Sequence, residues 1–344
     1  MSELNDKSII ITGIKPSGEI HLGTICGCIK PLAELQKEYK NINVFIADIH
    51  ALTKPIEAKK LNLYTKQLLL TYLSYLSWDN LTIFRQSRVP AHSQLSQILT
   101  CFANVNDLLK MPQYKDFASK FNSKEVPAGI LDYPNWMNAD ILLYSQDDKE
   151  LLVPCGTDQL SHIYFCRDIA DKVNKITDQN IFTKVTPIIN TEGHKIMSLK
   201  DPSKKMSKSE SDAGTVYLFD TAEVIYDKFL KAKTDCENKV YYDTVNKPGI
   251  SNLINIYSIF SGLSYDEIEA KYAHITNYKE FKLDIAYLVS SEFEVIKEAM
   301  HNLETQDKEQ VKQLLESGEI KARKLTNKKL QEVYNKLGLG SEII

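Results

Sequence analysis

The sequence predicts an α/β fold: a Rossmann-type, doubly wound parallel sheet followed by an all-helical C-terminal domain. Short apolar runs rich in β-branched residues alternate with long helical patterns through the first half of the chain, which is typical of parallel strands joined by crossover helices. From Glu223 onward the helical periodicity is almost continuous, with breaks at 247–249 and Gly262. We therefore expect a sheet domain over 1–212 and a helical domain over 213–344, with packing of the last helix back on the sheet domain left open.

The individual elements follow from these patterns. In order they are strand 8–12, helix 22–39, strand 43–49, helix 59–76 and strand 81–84. Each strand run is apolar without alternation, so we expect helices on both faces of the sheet. In such a fold a ligand binds beyond the carboxyl ends of the strands, and the first strand ends at Gly13.

The composition is that of an ordinary globular protein of 344 residues, with 43% hydrophobic and 25% charged residues and a net charge of -3. This charge gives no overall attraction to nucleic acid, so an RNA partner would need a local basic patch. The six cysteines are scattered, without the spacing of a metal site. The polar, acidic segment 1–7 is unlike an export signal, and no run approaches the roughly 20 apolar residues of a membrane span. We expect a cytoplasmic protein without a metal site or a membrane segment.

The segment Pro16-Ser17-Gly18-Glu19-Ile20-His21-Leu22-Gly23-Thr24 directly follows the first strand. Its small residues allow the backbone to approach a ligand, and His21 to Thr24 open the next helix. The free N–H groups and the positive dipole end of a helix favour a phosphate there. A strand-turn-helix corner without a ligand is the alternative.

A second motif, Lys205-Met206-Ser207-Lys208-Ser209, lies in a serine-rich loop over 203–210. Two lysines three residues apart supply mobile positive charges that suit a polyphosphate. Such charges stabilise a leaving pyrophosphate. The alternative is a solvated basic loop.

These motifs and several others resemble, in order from about Ile9 to Leu339, the class I aminoacyl-tRNA synthetases and specifically their tryptophan-specific family. The resemblance rests on Gly13 to Gly23, Asp48 to Thr53, Tyr133-Pro134, Ala139 to Tyr144, Val153 to Gln159, the lysine loop, and Lys247 to Leu253. It implies activation of L-tryptophan by ATP to tryptophanyl-adenylate and pyrophosphate, followed by transfer of tryptophan to the 3'-terminal ribose of tRNA(Trp). It also implies a homodimer, Mg²⁺ bound through the ATP phosphates, and an anticodon-binding role for the helical domain.

The resemblance further implies three groups of site residues. The catalytic group is His21, Thr24, Lys115, Lys205 and Lys208. The ATP-binding group is Lys15, Pro16, Ser17, Gly23, Thr24, Gly156, Thr157, Asp158, Ile196, Met197, Lys205, Met206, Ser207, Lys208 and Ser209. The tryptophan-binding group is Gly13, His50, Tyr133, Met137, Asp140, Val153 and Gln159.

Asp140 lies in the otherwise apolar stretch 136–144, where an unpaired carboxylate would be costly. An indole N–H is a donor that would satisfy it. The alternative is that Asp140 pairs with a nearby basic side chain of the protein.

Two further surfaces are predicted for the partners. The last helix carries basic residues for contacts with RNA phosphates: Lys321, Arg323, Lys324, Lys328, Lys329 and Lys336. The apolar segment 95–111 is a candidate for part of the dimer interface. A solvated helix face and a core helix are the respective alternatives.

The chain departs from the family pattern at three positions: Thr24 stands where Asn or His is usual, Lys15 where many relatives carry Gln, and Ile11 where an aromatic residue is frequent. None of these changes removes a charge that the chemistry requires. Three other functions stay open: a tyrosine-specific synthetase, a catalytically silent paralogue that binds tryptophan or RNA, and a nucleotidyltransferase that shares the histidine motif.

Overall fold

The computed structural model describes residues 4–120, 126–189, 195–207 and 212–340. Its sheet consists of β1 (Asn5–Ile14), β2 (Tyr39–Ile46), β3 (Leu81–Arg85), β4 (Glu150–Cys155) and β5 (Val185–Ile189). All neighbouring strands are parallel, in the order β3-β2-β1-β4-β5. The chain order reverses between β1 and β4, so the predicted doubly wound sheet is confirmed. Ligands of such sheets bind at this switch point.

The two central strands separate toward their carboxyl ends. β1 pairs with β4 only as far as Ile10 opposite Leu152, although β1 continues to Ile14. On its other side β1 remains paired with β2 up to Ile14 opposite Ile46. A crevice therefore opens between the carboxyl ends of β1 and β4.

Helices cover both faces of the sheet. They are α1 (Leu22–Thr24), α2 (Lys30–Leu35), α3 (Asp48–Ala51), α4 (Ala58–Tyr75), α5 (Ala91–Thr100), α6 (Val105–Lys110), α7 (Pro112–Lys120), α8 (Ala128–Leu142), α9 (Leu160–Thr177), α10 (Ala222–Leu230), α11 (Pro248–Ser261), α12 (Tyr265–Lys271), α13 (Lys279–Thr305) and α14 (Lys308–Lys336). Ile10 and Val44 share an apolar core with Phe281 of α13. Ile11 and Phe45 share the opposite core with Leu95 of α5. Alternate residues of each strand thus serve the two faces.

The predicted helix 22–39 is shorter and irregular. A π-helical turn, Ile25–Ile29, separates α1 from α2, and the helix ends at Leu35. Pro31 has no N–H to donate to the carbonyl of Gly27, and this loss favours an extra residue in the turn. The prediction for 59–76 is confirmed by α4, which spans Ala58–Tyr75.

The strand predictions were partly wrong. The second strand begins at Tyr39 and ends at Ile46, before the short helix α3. Both β4 and β5 were missed, because each contains a proline, which weakens a strand prediction. Pro187 lies on an edge strand, and Pro154 lies beyond the last β1–β4 pair.

The last helix packs back on the sheet, the arrangement that the sequence left open. A Cβ atom on Gly318 of α14 would overlap the carbonyl oxygen of Ile83 in β3. Beside this contact, Arg85 Nε donates to Glu319 Oε1 at 2.7 Å. α14 thereby covers the edge strand, where an open edge would invite pairing with another chain.

One residue of the expected basic surface is internal. Lys329 is 6% exposed, donates to the carbonyl oxygen of Ile181 at 2.9 Å, and pairs with Glu332 at 2.8 Å. Its expected contact with RNA phosphates is wrong, because burial and these partners occupy the ammonium group. Within the described ranges, no helix is both long and apolar enough to cross a membrane.

Candidate active site

The turn after β1 brings the first motif to the mouth of the crevice. Ser17 N donates to the carbonyl oxygen of Lys15 at 2.9 Å, which closes a tight turn before α1. His21 is buried and precedes Leu22, the first residue of α1. The Thr24 hydroxyl lies 3.3 Å from His21 Nε2. His21 and Thr24 therefore lie together at the helix start, as the resemblance implied.

The two motifs, far apart in sequence, pack directly against each other. A Cβ atom on Gly23 would lie 3.1 Å from ring atoms of His21 and 3.6 Å from Cβ of Met206. Met206 is buried, and its N–H donates to the carbonyl oxygen of Ile196 at 2.9 Å. Leu22 N donates to the carbonyl oxygen of Val216 at 2.8 Å. The helix start and the lysine loop thus form one surface, and Gly23 keeps them close.

The lysine loop also reaches the segment that follows β4. Lys205 Nζ lies 3.6 Å from Asp158 Oδ2, with the two side chains 54% and 58% exposed. An exposed ion pair of this kind contributes little to stability, so both groups remain available to a ligand. A Cβ atom on Gly156 would lie 2.5 Å from Asp158 Oδ1. The glycine therefore allows Asp158 to fold back over the end of the strand.

Other residues that the sequence predicts to bind ATP lie around this surface. Met197 forms an antiparallel bridge with Lys205 and exchanges two hydrogen bonds with the Asn252 side chain at 2.8 and 3.0 Å. The Ser207 carbonyl accepts from Thr215 Oγ1 at 3.0 Å. Pro16 is buried and Thr157 exposed. The predicted residues Lys208 and Ser209 lie outside the described residues.

Lys15 connects the two halves of the site. Its Nζ lies 4.9 Å from the centre of the Tyr133 ring, and no carboxylate within the described segments forms an ion pair with it. Burial, with a smaller contribution from Lys54, lowers the pKa of Lys15 to about 8. Burial, with Asp140 nearby, raises the pKa of Tyr133 to about 12. The site thus holds a positive charge without a counter-ion, which favours an anionic ligand.

Aromatic rings form a wall on the Tyr133 side of the site. The His50 ring lies 4.6 Å from that of Tyr133 and 5.5 Å from that of Trp136, edge to face in both cases. Burial lowers the pKa of His50, so the ring is neutral near pH 7. Tyr133, Trp136 and Met137 are half-buried, whereas Val153 is buried. The wall offers an apolar surface.

Gly13 leaves room for the ring of Phe45 beside the end of β1. It pairs with Phe45, and a Cβ atom on Gly13 would lie 2.5 Å from the Phe45 ring. Any larger residue would displace that ring. The absence of a side chain keeps the strand end flat beside Lys15.

Asp140 already has partners within the protein. It is 2% exposed and accepts hydrogen bonds from Gln86 Nε2 at 2.8 and 2.9 Å and from His92 Nδ1 at 2.6 Å. The alternative of a basic partner therefore holds, and the carboxylate is not unpaired. A carboxylate has about four acceptor positions, so these bonds leave room for one more donor. Its role toward an indole stays a prediction.

Several site residues were missed by the sequence analysis. Gln86 and His92 follow β3, and position at a strand's carboxyl end was the available signal. His162 lies one helical turn after Gln159, with its ring 6.0 Å from that of Tyr133. Burial lowers its pKa to about 4. Neither His162 ring nitrogen has a hydrogen-bond partner among residues 4–120, 126–189, 195–207 and 212–340.

The helix that carries Lys115 also reaches the site. Gln113 of α7 hydrogen-bonds the Tyr133 hydroxyl, and Lys115, two residues later, is exposed. Gln159 is half-buried and donates to Asp158 at 3.2 Å. In the described part of the chain, no three His, Cys, Asp or Glu side chains lie close enough to hold a metal ion.

A nucleotide-binding sheet with a histidine motif at the first helix and a lysine loop packed against it defines a class I aminoacyl-tRNA synthetase. The family model described as "tRNA synthetases class I (W and Y)" matches residues 3–294. The chain belongs to this family, which confirms the resemblance inferred from the motifs.

Relatives of the chain are similar along nearly their whole length. The tryptophan-tRNA ligase of Bacillus subtilis is 39% identical over 336 residues, which cover 97% of this chain and 98% of that protein. The enzyme of the same name from Malacoplasma penetrans is 40% identical over 338 residues, covering 96% and 98%.

Solved structures show the same similarity. Tryptophanyl-tRNA synthetase from Mycoplasma pneumoniae superposes with a TM-score of 0.89 at 29% identity, covering 97% of this chain and 99% of that one. The Campylobacter jejuni enzyme in complex with ADP and tryptophan has a TM-score of 0.76 at 30% identity, covering 96% and 99%.

Proposed function

We propose that this protein is an ATP-dependent tryptophan-tRNA ligase. The observation that carries the proposal is the contact between the two motifs: Gly23, two residues after His21, lies against Met206, so the helix start and the lysine loop face one ligand. The names of the relatives support tryptophan as the amino acid. The ADP and tryptophan bound to the Campylobacter jejuni enzyme support the pair of substrates.

The first step joins tryptophan to AMP. A carboxylate oxygen of tryptophan attacks the α-phosphorus of ATP, and the bond from that phosphorus to the bridging oxygen of pyrophosphate breaks. Lys205 and Lys208 hold the leaving pyrophosphate, whose negative charge increases in the transition state. Lys15, Pro16, Ser17, Gly23, His21 and Thr24 line the phosphates. The protein supplies position and charge, and no side chain acts as a nucleophile.

The second step transfers the amino acid. A hydroxyl of the terminal ribose of tRNA(Trp) attacks the adenylate carbonyl, and AMP leaves with the electrons of the broken bond. Gly156, Thr157 and Asp158 hold the ribose of ATP, and Ile196, Met197, Met206 and Ser207 border its adenine. Lys115 reaches the phosphates from outside, since it is exposed on the helix whose Gln113 contacts Tyr133. Ser209 is assigned to ATP binding as part of the lysine motif.

Tryptophan binds on the other side of Lys15. Tyr133 and Gln159 hold its α-amino group, Asp140 accepts from the indole N–H, and Gly13, His50, Met137 and Val153 form the walls. Asp140 is almost inaccessible, so the half-buried side chains around it must move apart when the indole enters.

Mg²⁺ would be held in the site through the phosphates of ATP. The side chains around the phosphates are chiefly cations, Lys15 and Lys205, which suit phosphate oxygens rather than a metal ion. Asp158 is the carboxylate nearest to Lys205 in the described site. The magnesium ion neutralises phosphate charge when bound, and the lysines complete that neutralisation.

The helical part and the exposed apolar residues suit two further partners, the tRNA and a second copy of the chain. The helical part, 213–344, binds the anticodon region of the tRNA, and the protein acts as a cytoplasmic homodimer. Leu95 and Leu99 belong to the core, whereas Val105 and Leu109 are 61% and 38% exposed. These two exposed apolar residues are the part of 95–111 that is free to meet a second copy.

ATP-pyrophosphate exchange across the aromatic amino acids, with Mg²⁺ present, tests the proposal. Exchange driven by tryptophan alone is expected, and Lys205→Ala, the control, should abolish most of it. Exchange driven by tyrosine would show that the protein is a tyrosine-specific synthetase. No exchange with any amino acid would instead favour a silent paralogue that only binds tryptophan or RNA.

A further inference from the structure

Asp140 is a buried carboxylate whose orientation is set by other side chains. At 2% exposure its carboxyl oxygens are shielded from solvent, so their hydrogen-bond donors must come from the protein or from a ligand. Gln86 Nε2 lies 2.8 and 2.9 Å from its two oxygens, and His92 Nδ1 lies 2.6 Å from Oδ1. Two donors therefore determine which acceptor positions remain.

Both donors come from the connection that follows β3. Gln86 begins the 3₁₀ turn Gln86–Arg88 directly after the strand, and His92 lies in the first turn of α5. Each is 2% exposed. α5 packs on α8, the helix of Asp140. The carboxyl edge of the sheet and the helix pair thus hold the three side chains together.

The neighbours of His92 determine which nitrogen carries the proton. The Tyr144 hydroxyl lies 3.2 Å from His92 Nε2. Burial raises the pKa of Tyr144 well above its ordinary value, so the phenol keeps its hydrogen and is able to donate a hydrogen bond to Nε2. With Nε2 as the acceptor, the ring hydrogen of His92 lies on Nδ1, which donates to Asp140.

Gln86 is oriented in the same way. Its Oε1 accepts from the backbone N–H of His50 at 3.4 Å, which directs its NH₂ group toward Asp140. The side-chain nitrogen Nε2 of Gln86 also lies 2.9 Å from His50 Nδ1. Gln86 therefore links the carboxylate of Asp140 to the ring that forms the pocket wall.

We propose that Gln86 and His92 are positioning residues for amino-acid selection, which hold Asp140 with one acceptor position directed at the indole N–H of tryptophan. Neither touches the substrate; each acts through Asp140. The inference rests on the proposed function, in which Asp140 accepts that bond. A site with a fixed buried acceptor rejects an amino acid that lacks the donor, because the acceptor is then left unpaired.

The test compares tryptophan with 3-benzothienylalanine, in which sulfur replaces the indole N–H. The kcat/KM for tryptophan divided by that for the analogue, both in pyrophosphate exchange, measures how much the hydrogen bond from the indole N–H contributes. In His92→Phe and Gln86→Met the ratio should fall by roughly tenfold or more, as expected for loss of a hydrogen bond to a charged group. KM for ATP should stay within about twofold, since ATP does not contact Asp140.

Two variants separate positioning from folding. His92→Asn places an amide nitrogen near the position of Nδ1 and should restore most of the ratio. Ser96→Ala, at a buried position one turn further along α5, is the matched control and should leave the ratio unchanged. Should His92→Phe not fold, the fall expected in Gln86→Met and the retained ratio expected in His92→Asn test the two positions.

The outcomes distinguish this inference from the proposed function. If His92→Phe and Gln86→Met reduce both substrates equally, the two residues are only structural and the inference is overturned. If Asp140→Asn lowers the ratio while these variants do not, Asp140 binds the indole without their help. If Asp140→Asn also leaves the ratio unchanged, the assigned role of Asp140 itself fails.

Discussion

The ammonium nitrogen of Lys15 lies 4.9 Å from the centre of the Tyr133 ring. The aromatic face stabilises the cation, but burial and Lys54 together lower the pKa of Lys15 to about 8. A bound anion would reverse this effect and raise the pKa again. Ligand binding at this position is therefore coupled to a proton.

This coupling predicts proton uptake on binding of Mg²⁺-ATP. At pH 8.5 much of the free Lys15 is deprotonated, and binding should take up about half to one proton per ATP. Calorimetry in buffers of different ionisation enthalpy measures this number. Lys15→Gln should abolish the uptake, and Lys54→Ala should reduce it because the pKa of Lys15 in the free protein is then higher. Uptake that persists in Lys15→Gln would assign the proton to another group.

We predict that the two lysines of the lysine loop act in adenylate formation and not in tryptophan binding. Lys205→Ala and Lys208→Ala should each slow adenylate formation by roughly 100-fold, since each removes a charge from the leaving group. Tryptophan binding without ATP should stay within about twofold. Single-turnover measurements and equilibrium dialysis check the two quantities. Loss of tryptophan binding alone would contradict the assignment.

His162 predicts a pH dependence of stability. Its folded pKa of about 4 lies below the ordinary value of about 6.5, so between these values the unfolded chain binds the extra proton. The free energy of unfolding should therefore fall as pH decreases from 6.5 to 4, by up to about 3 kcal/mol from this residue. Urea unfolding at several pH values measures the slope.

The matched variant for this effect is His162→Leu. It should flatten the pH dependence, and it should not lower stability at pH 7 by more than about 1 kcal/mol, because the ring nitrogens have no hydrogen-bond partner in the described part of the chain. An unchanged slope would show that other groups, such as the buried His50, carry the proton effect.

Gly318 predicts that the last helix is essential for stability. A methyl group there would overlap the Ile83 carbonyl, so Gly318→Ala should lower the free energy of unfolding by about 2 to 3 kcal/mol. The neighbouring exposed residue provides the control: Ser317→Ala should change it by less than about 1 kcal/mol. Equal effects in urea unfolding would mean that α14 does not pack tightly on β3.

Local patterns were sufficient for part of the fold. The run 59–76 predicts α4 to within one residue at each end, because a long periodic segment carries its own signal. β4 and β5 escaped detection because Pro154 and Pro187 interrupt their patterns. The boundary at 212 and 213 stays a prediction, since Phe281 of the helical part shares a core with strand residue Ile10.

The sequence by itself determined the family and the residue types of the site, since the two motifs specify phosphate-binding chemistry wherever they meet. Only the tertiary structure decided what state those residues are in. It left Lys15 without a carboxylate partner among the described residues, gave Asp140 two donors from beyond β3, and buried Lys329 against Ile181. Charge state and availability depend on distance and burial, and both are set by contacts between segments far apart in the chain.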